Sequence, residues 1–379
     1  MIKKLIVFAI FFLQLLQVSA QNLKKLTLII AELPTNDLAN LTVYLASDFN
    51  NWNPKNDVYQ FKINQQSQLQ LTLFLPVSTI NFKLTKGSWE SVECDRYGDG
   101  INNRSLQINS DTTIYLKVAT FANQFGKKVI KSTASNNVKT LDSAFYIPQL
   151  GVKRKIWVYL PSSYQKVKKK YPVLYMHDGQ NLFDNATSGY GEWGVDEILD
   201  SISKSDDKES IVVGIDHGGG DRLLEYNPFD SRFGKGKGDA YVDFIVKTLK
   251  PLIDRNYRTL NTPKNTGVIG SSMGGLISLY AALKYPKTFG VAGIFSPAFR
   301  VAPLIYDFAE KNKLNKKTRI FFLAGESESK EMVPDMKKMY DLLIKKGYPA
   351  THLKFVTQPD GQHSEWFWHR EFPKFYKWL

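Results

Sequence analysis

The sequence predicts an all-β segment followed by an α/β segment. Up to about residue 121, short runs of alternating apolar and polar residues are separated by clusters of Asn, Asp and Gly, which is typical of an immunoglobulin-like antiparallel β-sandwich. After about residue 138, short apolar runs alternate with longer helical stretches. This order predicts βαβ units and a mostly parallel sheet covered on both faces. A length of 379 residues agrees with two domains.

The individual elements set the expected domain boundaries. Strands of the first segment are expected at residues 41–47, 69–77, 79–85 and 113–119. Strands of the second are expected at Lys155–Leu160, Pro172–Met176, Ile211–Ile215, Gly267–Gly270, Val291–Phe295, Arg319–Leu323 and Leu353–Val356, and helices at Tyr241–Arg255, Gly275–Lys284, Met332–Lys346 and Glu365–Leu379. We therefore expect a β domain over residues 21–122, a polar linker over 123–137 and an α/β domain over 138–379.

The first 20 residues have the composition of a Sec signal peptide. Two lysines precede an apolar run from Leu5 to Leu16, and small residues follow it up to Ala20. The run is short for a membrane span. Since the only cysteine is Cys94, a lipoprotein cleavage site is excluded and the chain has no intramolecular disulfide. We expect export to the periplasm or the exterior, with no membrane anchor after cleavage.

The net charge of +14 comes mostly from dispersed lysines. No basic stripe with interleaved aromatic residues follows the chain, so nucleic acid is not an expected partner. The charge could attract acidic polysaccharide or anionic surfaces, or it could simply be a solvated face.

Gly270-Ser-Ser-Met-Gly274 lies between an apolar strand and an amphipathic helix, which is the context of a G-x-S-x-G nucleophile elbow. Glycines on both sides relieve the crowding of a strained strand-to-helix turn. The turn presents Ser272 at a helix N-terminus, where backbone N–H groups favour developing negative charge. Ser271 is a rival nucleophile, but it does not have a glycine two residues away on each side. The pattern predicts an α/β-hydrolase with Ser272 as nucleophile.

The catalytic base must be one of five histidines. In α/β-hydrolases the base follows the acid late in the chain, and His363 lies in the loop after the last strand. His352 precedes that strand and His369 lies within the final helix, where a structural role is favoured. The acid is expected in the loop after residue 323, which contains three carboxylates that qualify equally by position: Glu326, Glu328 and Glu331.

Two backbone donors are expected to form the oxyanion hole. One is the N–H of Met273, directly after the nucleophile. The other is the N–H of Gln180, because Gly179 permits a close backbone approach. His177 and Asp178 could suggest a metal pair, but no third ligand has a suitable spacing. The chemistry needs no cofactor and no metal.

These motifs resemble an esterase family of α/β-hydrolases that includes siderophore esterases, S-formylglutathione hydrolases, feruloyl and acetyl xylan esterases, and mycolyltransferases. The resemblance covers residues 138–379 and rests on the segments beginning at Lys155, Tyr171, Gly270 and His363. It implies Glu328 as the acid, with Glu326 in reserve, and agrees with Gln180 as oxyanion donor. The family often has leucine where this chain has His177, which leaves a role in substrate contact open.

The first segment is similar to the β-sandwich modules of starch-binding and glycogen-branching proteins, through the stretches around Trp52 and Trp89. Flat indole faces can stack on sugar rings. For Trp52 a place in or beside the sandwich core is favoured instead, whereas for Trp89 the two roles are equally expected.

The expected function is that of an exported serine carboxylic ester hydrolase with a Ser–His–Glu triad, which removes acetyl or feruloyl groups from carbohydrate. Hydrolysis of enterobactin-type siderophore esters is an alternative, and an inactive glycan-binding protein is an alternative of another class. Transfer of the acyl group to another hydroxyl also stays open. Trp193 and Tyr226, with His177 and Trp89, are the expected substrate contacts; they suit either kind of ester.

Overall fold

The computed structural model describes residues 23–33, 41–125, 130–205, 208–312 and 315–379. Two compact units divide between residues 129 and 130. The expected signal peptide lies outside the described residues. No helix in the described part of the chain is long and apolar enough to cross a membrane.

The first unit is rich in β structure. Its strands are β1 (Leu23–Glu32), β2 (Tyr44–Ser47), β3 (Lys62–Ile63), β4 (Leu69–Pro76), β5 (Ser78–Thr85), β6 (Glu93–Cys94), β7 (Arg104–Ile108), β8 (Thr112–Lys117) and β9 (Thr120–Phe121). They form sheets of order β3-β4-β1-β8, β2-β5-β7 and β6-β9. Strand β1 pairs antiparallel with β4 and parallel with β8.

The alternating pattern of these strands explains their burial. In β4, Leu69, Leu71 and Leu73 are buried on one face, while the residues between them are partly exposed. They share one apolar core with residues of β2 and β5, so the two larger sheets contribute to the same interior. An immunoglobulin-like arrangement of the sheets stays a prediction.

The second unit is built on one mixed sheet of eight strands. These are β10 (Val138–Ile147), β11 (Val152–Tyr159), β12 (Val173–His177), β13 (Ile211–Ile215), β14 (Thr266–Ser271), β15 (Val291–Phe295), β16 (Arg319–Gly325) and β17 (Leu353–Gln358), in the order β10-β11-β13-β12-β14-β15-β16-β17. The pairs β10–β11 and β11–β13 are antiparallel, and every pair from β13 to β17 is parallel.

Helices cover both faces of this sheet. They are α1 (Val195–Ile202), α2 (Arg222–Glu225), α3 (Gly238–Phe244), α4 (Lys250–Asn256), α5 (Met273–Lys284), α6 (Leu304–Lys311), α7 (Met332–Lys345) and α8 (Glu365–Trp378). A π-helical turn, Ile245–Leu249, joins α3 to α4.

Successive residues of each central strand face opposite layers. Val173 and Tyr175 of β12 pack in the core that contains α5, whereas Leu174 and Met176 pack in the core that contains α8. All five residues of β12 are buried, and the first four, Val173 to Met176, are a continuous hydrophobic run, as expected for a sheet covered on both sides. This confirms the α/β-hydrolase architecture predicted for the second domain.

The boundary between the units differs from the predicted one. Residues 130–137, expected to belong to a linker, form part of the second unit. Ser132 Oγ donates to Asp184 Oδ2 at 2.9 Å, and the Ser135 N–H donates to Asp196 Oδ2 at 2.7 Å. This polar stretch is fixed by carboxylates that lie far from it in sequence, which composition alone could not reveal.

We expect Asp200→Ala to destabilise the second unit by about 2 kcal/mol, because it leaves donors of Asn137 and Tyr159 without their acceptor. Asn137 Nδ2 lies 2.8 Å and the Tyr159 hydroxyl 2.7 Å from Asp200 Oδ1. Urea unfolding followed by tryptophan fluorescence measures the change. Asp307→Ala, at an exposed position, is the control; equal unfolding midpoints for the two variants would contradict the expectation.

Candidate active site

The parallel strands bring the candidate residues to one edge of the sheet. His177 ends β12, Ser271 ends β14, Gly325 ends β16 and Gln358 ends β17. Since parallel strands share a direction, these carboxyl ends and the loops after them meet where open α/β sheets assemble their sites.

Ser272 occupies the turn between β14 and α5 with φ 58° and ψ −121°. Its N–H donates to the Phe295 carbonyl at 2.9 Å, and its own carbonyl accepts from the Leu276 N–H at 3.1 Å. A non-glycine residue with positive φ is strained, and here both neighbouring elements fix it. Ser271, the rival, is the last residue of β14 and is buried.

Two glycines of the elbow, Gly270 and Gly275, are needed for space. A Cβ on Gly270 would lie 2.8 Å from His177 Cδ2 and 2.9 Å from the carbonyl carbon of Gly274. A Cβ on Gly275 would lie 2.9 Å from the Phe295 carbonyl oxygen. Any side chain at these two positions would force the turn apart. A Cβ on Gly274 would lie 3.4 Å from its nearest atoms, Asp178 Oδ2 and His177 Cβ, which is an ordinary contact. The structure therefore accounts for Gly270 and Gly275 but not for Gly274.

His363 and Glu328 form a close pair. Nδ1 of His363 lies 2.6 Å from Oε2 of Glu328, and the carboxylate side chain is only 1 % exposed. Its other oxygen, Oε1, accepts from Ser296 Oγ and from the Gly325 N–H, both at 2.7 Å. A buried carboxylate needs such donors, and here they leave Oε2 directed at the imidazole.

Two further contacts support this pair. Trp368 Nε1 donates to Ser296 Oγ at 2.9 Å, and the Trp368 ring meets the His363 ring edge to face at 5.2 Å. The acid loop also pairs with the base loop, because the Ser327 N–H donates to the Gly361 carbonyl at 3.1 Å. The positions of Glu328 and His363 therefore depend on each other.

The other acid candidates lie in different surroundings. Glu326 is exposed and accepts from Thr357 Oγ1 at 2.7 Å. Glu331 faces Arg300 at 3.9 Å.

The remaining late histidines are bound to backbone carbonyls. Nδ1 of His352 lies 2.6 Å from the Lys316 oxygen, and Nδ1 of His369 lies 2.7 Å from the Trp193 oxygen. Neither ring is paired with a carboxylate in the manner of His363.

One expected oxyanion donor lies at the start of a helix and the other lies in a short turn. Met273 is the first residue of α5, where the N–H has no acceptor within the helix. Gln180 lies in the 3-10 turn Gly179–Asn181 after β12. A Cβ on Gly179 would lie 2.8 Å from the Ile215 nitrogen, so the turn packs tightly on β13. The assignment of both donors stays a prediction.

His177 lies beneath the elbow and is buried. Its Nδ1 and the Tyr241 hydroxyl are 2.9 Å apart, and its Nε2 has no hydrogen-bond partner in the described residues. Burial lowers its pKa to about 4, so the imidazole is neutral at physiological pH. A contact with substrate stays a prediction; the observed neighbours favour support of the elbow.

The aromatic candidates are divided between core and surface. Trp193 packs against Trp368 and Phe295 with its ring 3 % exposed, and Tyr226 is fully buried against the ring of His177. Both have packing partners on several sides, which favours a structural role. Trp89, in the first unit, is 39 % exposed.

Several polar residues of this edge were not found from the sequence. Arg222 Nε and Nη2 donate to the two oxygens of Asp178 at 2.7 and 2.8 Å. Burial opposes ionisation of Asp178, but the guanidinium outweighs it and holds the pKa of this carboxyl below its usual value. Ser296, which orients Glu328, was also missed; a serine directly after a buried strand was the available signal.

No group of three or more His, Cys, Asp or Glu residues in the described ranges could hold a metal ion. The arrangement consists of a strained serine, a carboxylate-paired imidazole and helix-start N–H groups, which are the parts needed for acyl transfer through a serine.

Known proteins resemble this chain in sequence and in fold. Residues 147–374 match a family model described as "Putative esterase". An uncharacterized protein of Bacillus subtilis, YbbA, is 28 % identical over 242 residues, which cover 60 % of this chain and 92 % of that protein. An endo-1,4-beta-xylanase/feruloyl esterase of Xylanibacter ruminicola is 30 % identical over 156 residues, 40 % of this chain but only 20 % of that protein.

Among solved structures, the enterobactin esterase of Shigella flexneri superposes with a TM-score of 0.54 over 88 % of this chain and 86 % of its own, at 15 % identity. That likeness is one of fold. The matched family model spans more than half of the 379 residues. The chain belongs to this esterase family and is a carboxylic ester hydrolase with an α/β-hydrolase fold.

Proposed function

We propose that the chain is a serine esterase in which Ser272 is the nucleophile, His363 the general base and Glu328 the acid that orients it. The observation that supports this most directly is the buried Glu328 carboxylate, held by Ser296 and the Gly325 N–H and paired with His363 at 2.6 Å. Such a carboxylate fixes the ring orientation and stabilises the imidazolium formed during catalysis.

The proposed steps are those of a serine hydrolase with this triad. With Nδ1 of His363 occupied by Glu328, Nε2 is the nitrogen that takes the hydroxyl proton as Ser272 Oγ attacks the ester carbonyl. The N–H groups of Met273 and Gln180 then stabilise the oxyanion. Collapse breaks the bond to the alcohol, which leaves with the proton from His363. Water, deprotonated by the same imidazole, then attacks the acyl carbonyl. The bond to Ser272 Oγ breaks, Ser272 takes back a proton from His363, and the acid leaves.

The proposed substrates are acyl esters of carbohydrate, of the acetyl or feruloyl type. The bifunctional xylanase/feruloyl esterase among the relatives supports this. In the first unit, the rings of Trp52 and Trp89 lie 6.5 Å apart at 39°. They form an aromatic pair that can stack on sugar rings. We further propose export by the N-terminal leader, which would place the enzyme with extracellular polysaccharide.

Siderophore ester hydrolysis is the second candidate. The likeness to the enterobactin esterase extends over 88 % of the chain and so includes most of both units. Both candidates use the same triad and differ only in the alcohol and acyl groups that the surrounding loops must accept.

We expect Ser272→Ala to lower kcat on p-nitrophenyl acetate by at least about 10³-fold, because the nucleophile is removed. Ser271→Ala, the adjacent hydroxyl, should stay within about tenfold of the wild type. Labelling with a fluorophosphonate probe should follow the same order. Labelling of the Ser272→Ala protein at wild-type level would contradict the assignment.

We expect Glu328→Gln to lower kcat by about 10²- to 10⁴-fold, because the amide no longer stabilises the imidazolium or its working tautomer. Glu326→Gln removes a charge from the same loop and should change kcat by less than about threefold. Steady-state kinetics on the same ester measures both. A larger loss for Glu326→Gln would reassign the acid.

We expect kcat/KM on feruloylated or acetylated oligosaccharide to exceed that on an enterobactin-type ester by at least about tenfold. The opposite ranking of the two esters would favour the siderophore substrate.

We expect Trp89→Ala to lower the rate on polymeric substrate only, since the small-ester chemistry belongs to the other unit. Tyr115→Ala, which removes an exposed aromatic side chain of β8, is the matched control.

A further inference from the structure

A buried hydrogen bond joins the segment of the proposed base to the segment of the proposed oxyanion donor. Asn181 Nδ2 donates to Glu365 Oε1 at 3.1 Å. The two residues are 9 % and 8 % exposed, respectively, and lie 184 positions apart in the chain. No other side-chain bond between the turn Gly179–Asn181 and α8 is found in the described residues.

Each partner of this bond is itself fixed. Asn181 closes the turn of Gln180: its N–H donates to the Asp178 carbonyl and its carbonyl accepts from the Trp193 N–H, both at 2.8 Å. Glu365 begins α8, two residues after His363. A displacement of either residue would therefore move a group that the proposed reaction uses.

Charged and titratable groups surround Glu365 on several sides. Asp178 follows β12, Arg222 lies on α2, and Tyr190 lies in the loop before α1; each interacts electrostatically with Glu365. On its own side of the chain, His363 lies two residues before it. Burial raises the pKa of Glu365 to about 7. A hydrogen bond from its own backbone opposes this shift, as do Arg222 and Asn181, whereas the Asp178 charge reinforces it.

We propose that Glu365 is a positioning residue that holds the oxyanion-donor turn against the base loop through Asn181, and that its neutral form supports catalysis best. This inference rests on the proposed serine mechanism. A neutral carboxyl still accepts from Asn181, whereas an ionised one adds negative charge beside the turn on which the oxyanion develops. In a site of low dielectric such a charge opposes oxyanion formation.

The direction of the pH effect follows. Below pH 7 Glu365 is mostly protonated and the turn carries no added charge. As the pH rises through about 7 the carboxyl ionises, so kcat falls on the alkaline side. Glutamine at this position keeps the acceptor for Asn181 and cannot ionise, so its kcat does not fall there.

The test uses the full chain and p-nitrophenyl acetate between pH 5.5 and 9. Glu365→Ala and Asn181→Ala should each lower kcat by about tenfold or more with KM within about threefold. The kcat of the double variant should be no lower than that of the poorer single variant, because both changes break the same bond.

The kcat of Glu365→Gln should match that of the wild type at pH 6 and exceed it at pH 8.5. Glu310→Gln, an exposed carboxylate on α6, controls for the loss of charge.

A purely structural role predicts other results. Lower melting temperatures with unchanged kcat for both alanine variants would overturn the proposal, as would effects that multiply in the double variant. An alkaline fall in Glu365→Gln equal to that of the wild type would overturn the role of the charge. Activity that does not depend on Ser272 would overturn the proposed mechanism together with this inference, whereas Ser272-dependent activity unaffected by these variants overturns this inference alone.

Discussion

The burial of the Glu328 carboxylate is the constraint on which the rest of the site depends. A carboxylate with 1 % of its side chain exposed must find donors within the protein. Ser296 after β15, Gly325 at the end of β16 and His363 after β17 supply them. The three donors come from three adjacent parallel strands, so the order of the sheet brings the imidazole to the edge where Ser272 emerges.

Two residues with strained backbone conformations lie at the same edge of the sheet. Ser272 and Ser296 both have positive φ, 58° and 43°, and both sit directly after a buried central strand. The Ser272 N–H is bound to the end of β15, and the Ser296 N–H is bound to the Leu323 carbonyl of β16 at 2.6 Å. Each turn is therefore held by the neighbouring strand, and the energy cost of the two conformations is offset by the packing of the sheet.

How much of this could be predicted depends on the range of the interaction. The central strands, the elbow and the late position of His363 follow from local patterns. A buried strand, a glycine pair and a final helix can each be recognised from a short stretch of sequence. The choice of Glu328 over Glu326 needed a resemblance, since the direction of a loop carboxylate depends on Ser296, 32 positions away. The edge strand β10 was missed because most of its residues are exposed or only partly buried, so no apolar run marks it. The sequence predicts that Trp193 and Tyr226 contact substrate, but long-range packing buries both residues.

One edge of the sheet keeps several ionisable groups in different states. Asp178 is held ionised by a bidentate guanidinium, His177 is kept neutral by burial, and Glu365 lies near its point of half-ionisation at neutral pH. Burial favours the neutral form of all three groups, but only Asp178 has a guanidinium within hydrogen-bond distance that outweighs it. Because their environments separate their pKa values, neighbouring groups can have different roles. Asp178 is a fixed charge, His177 is a neutral support and Glu365 is the group that titrates. In this chain the fold determines where the polar residues meet, and burial together with the charged neighbours of each group determines its ionisation.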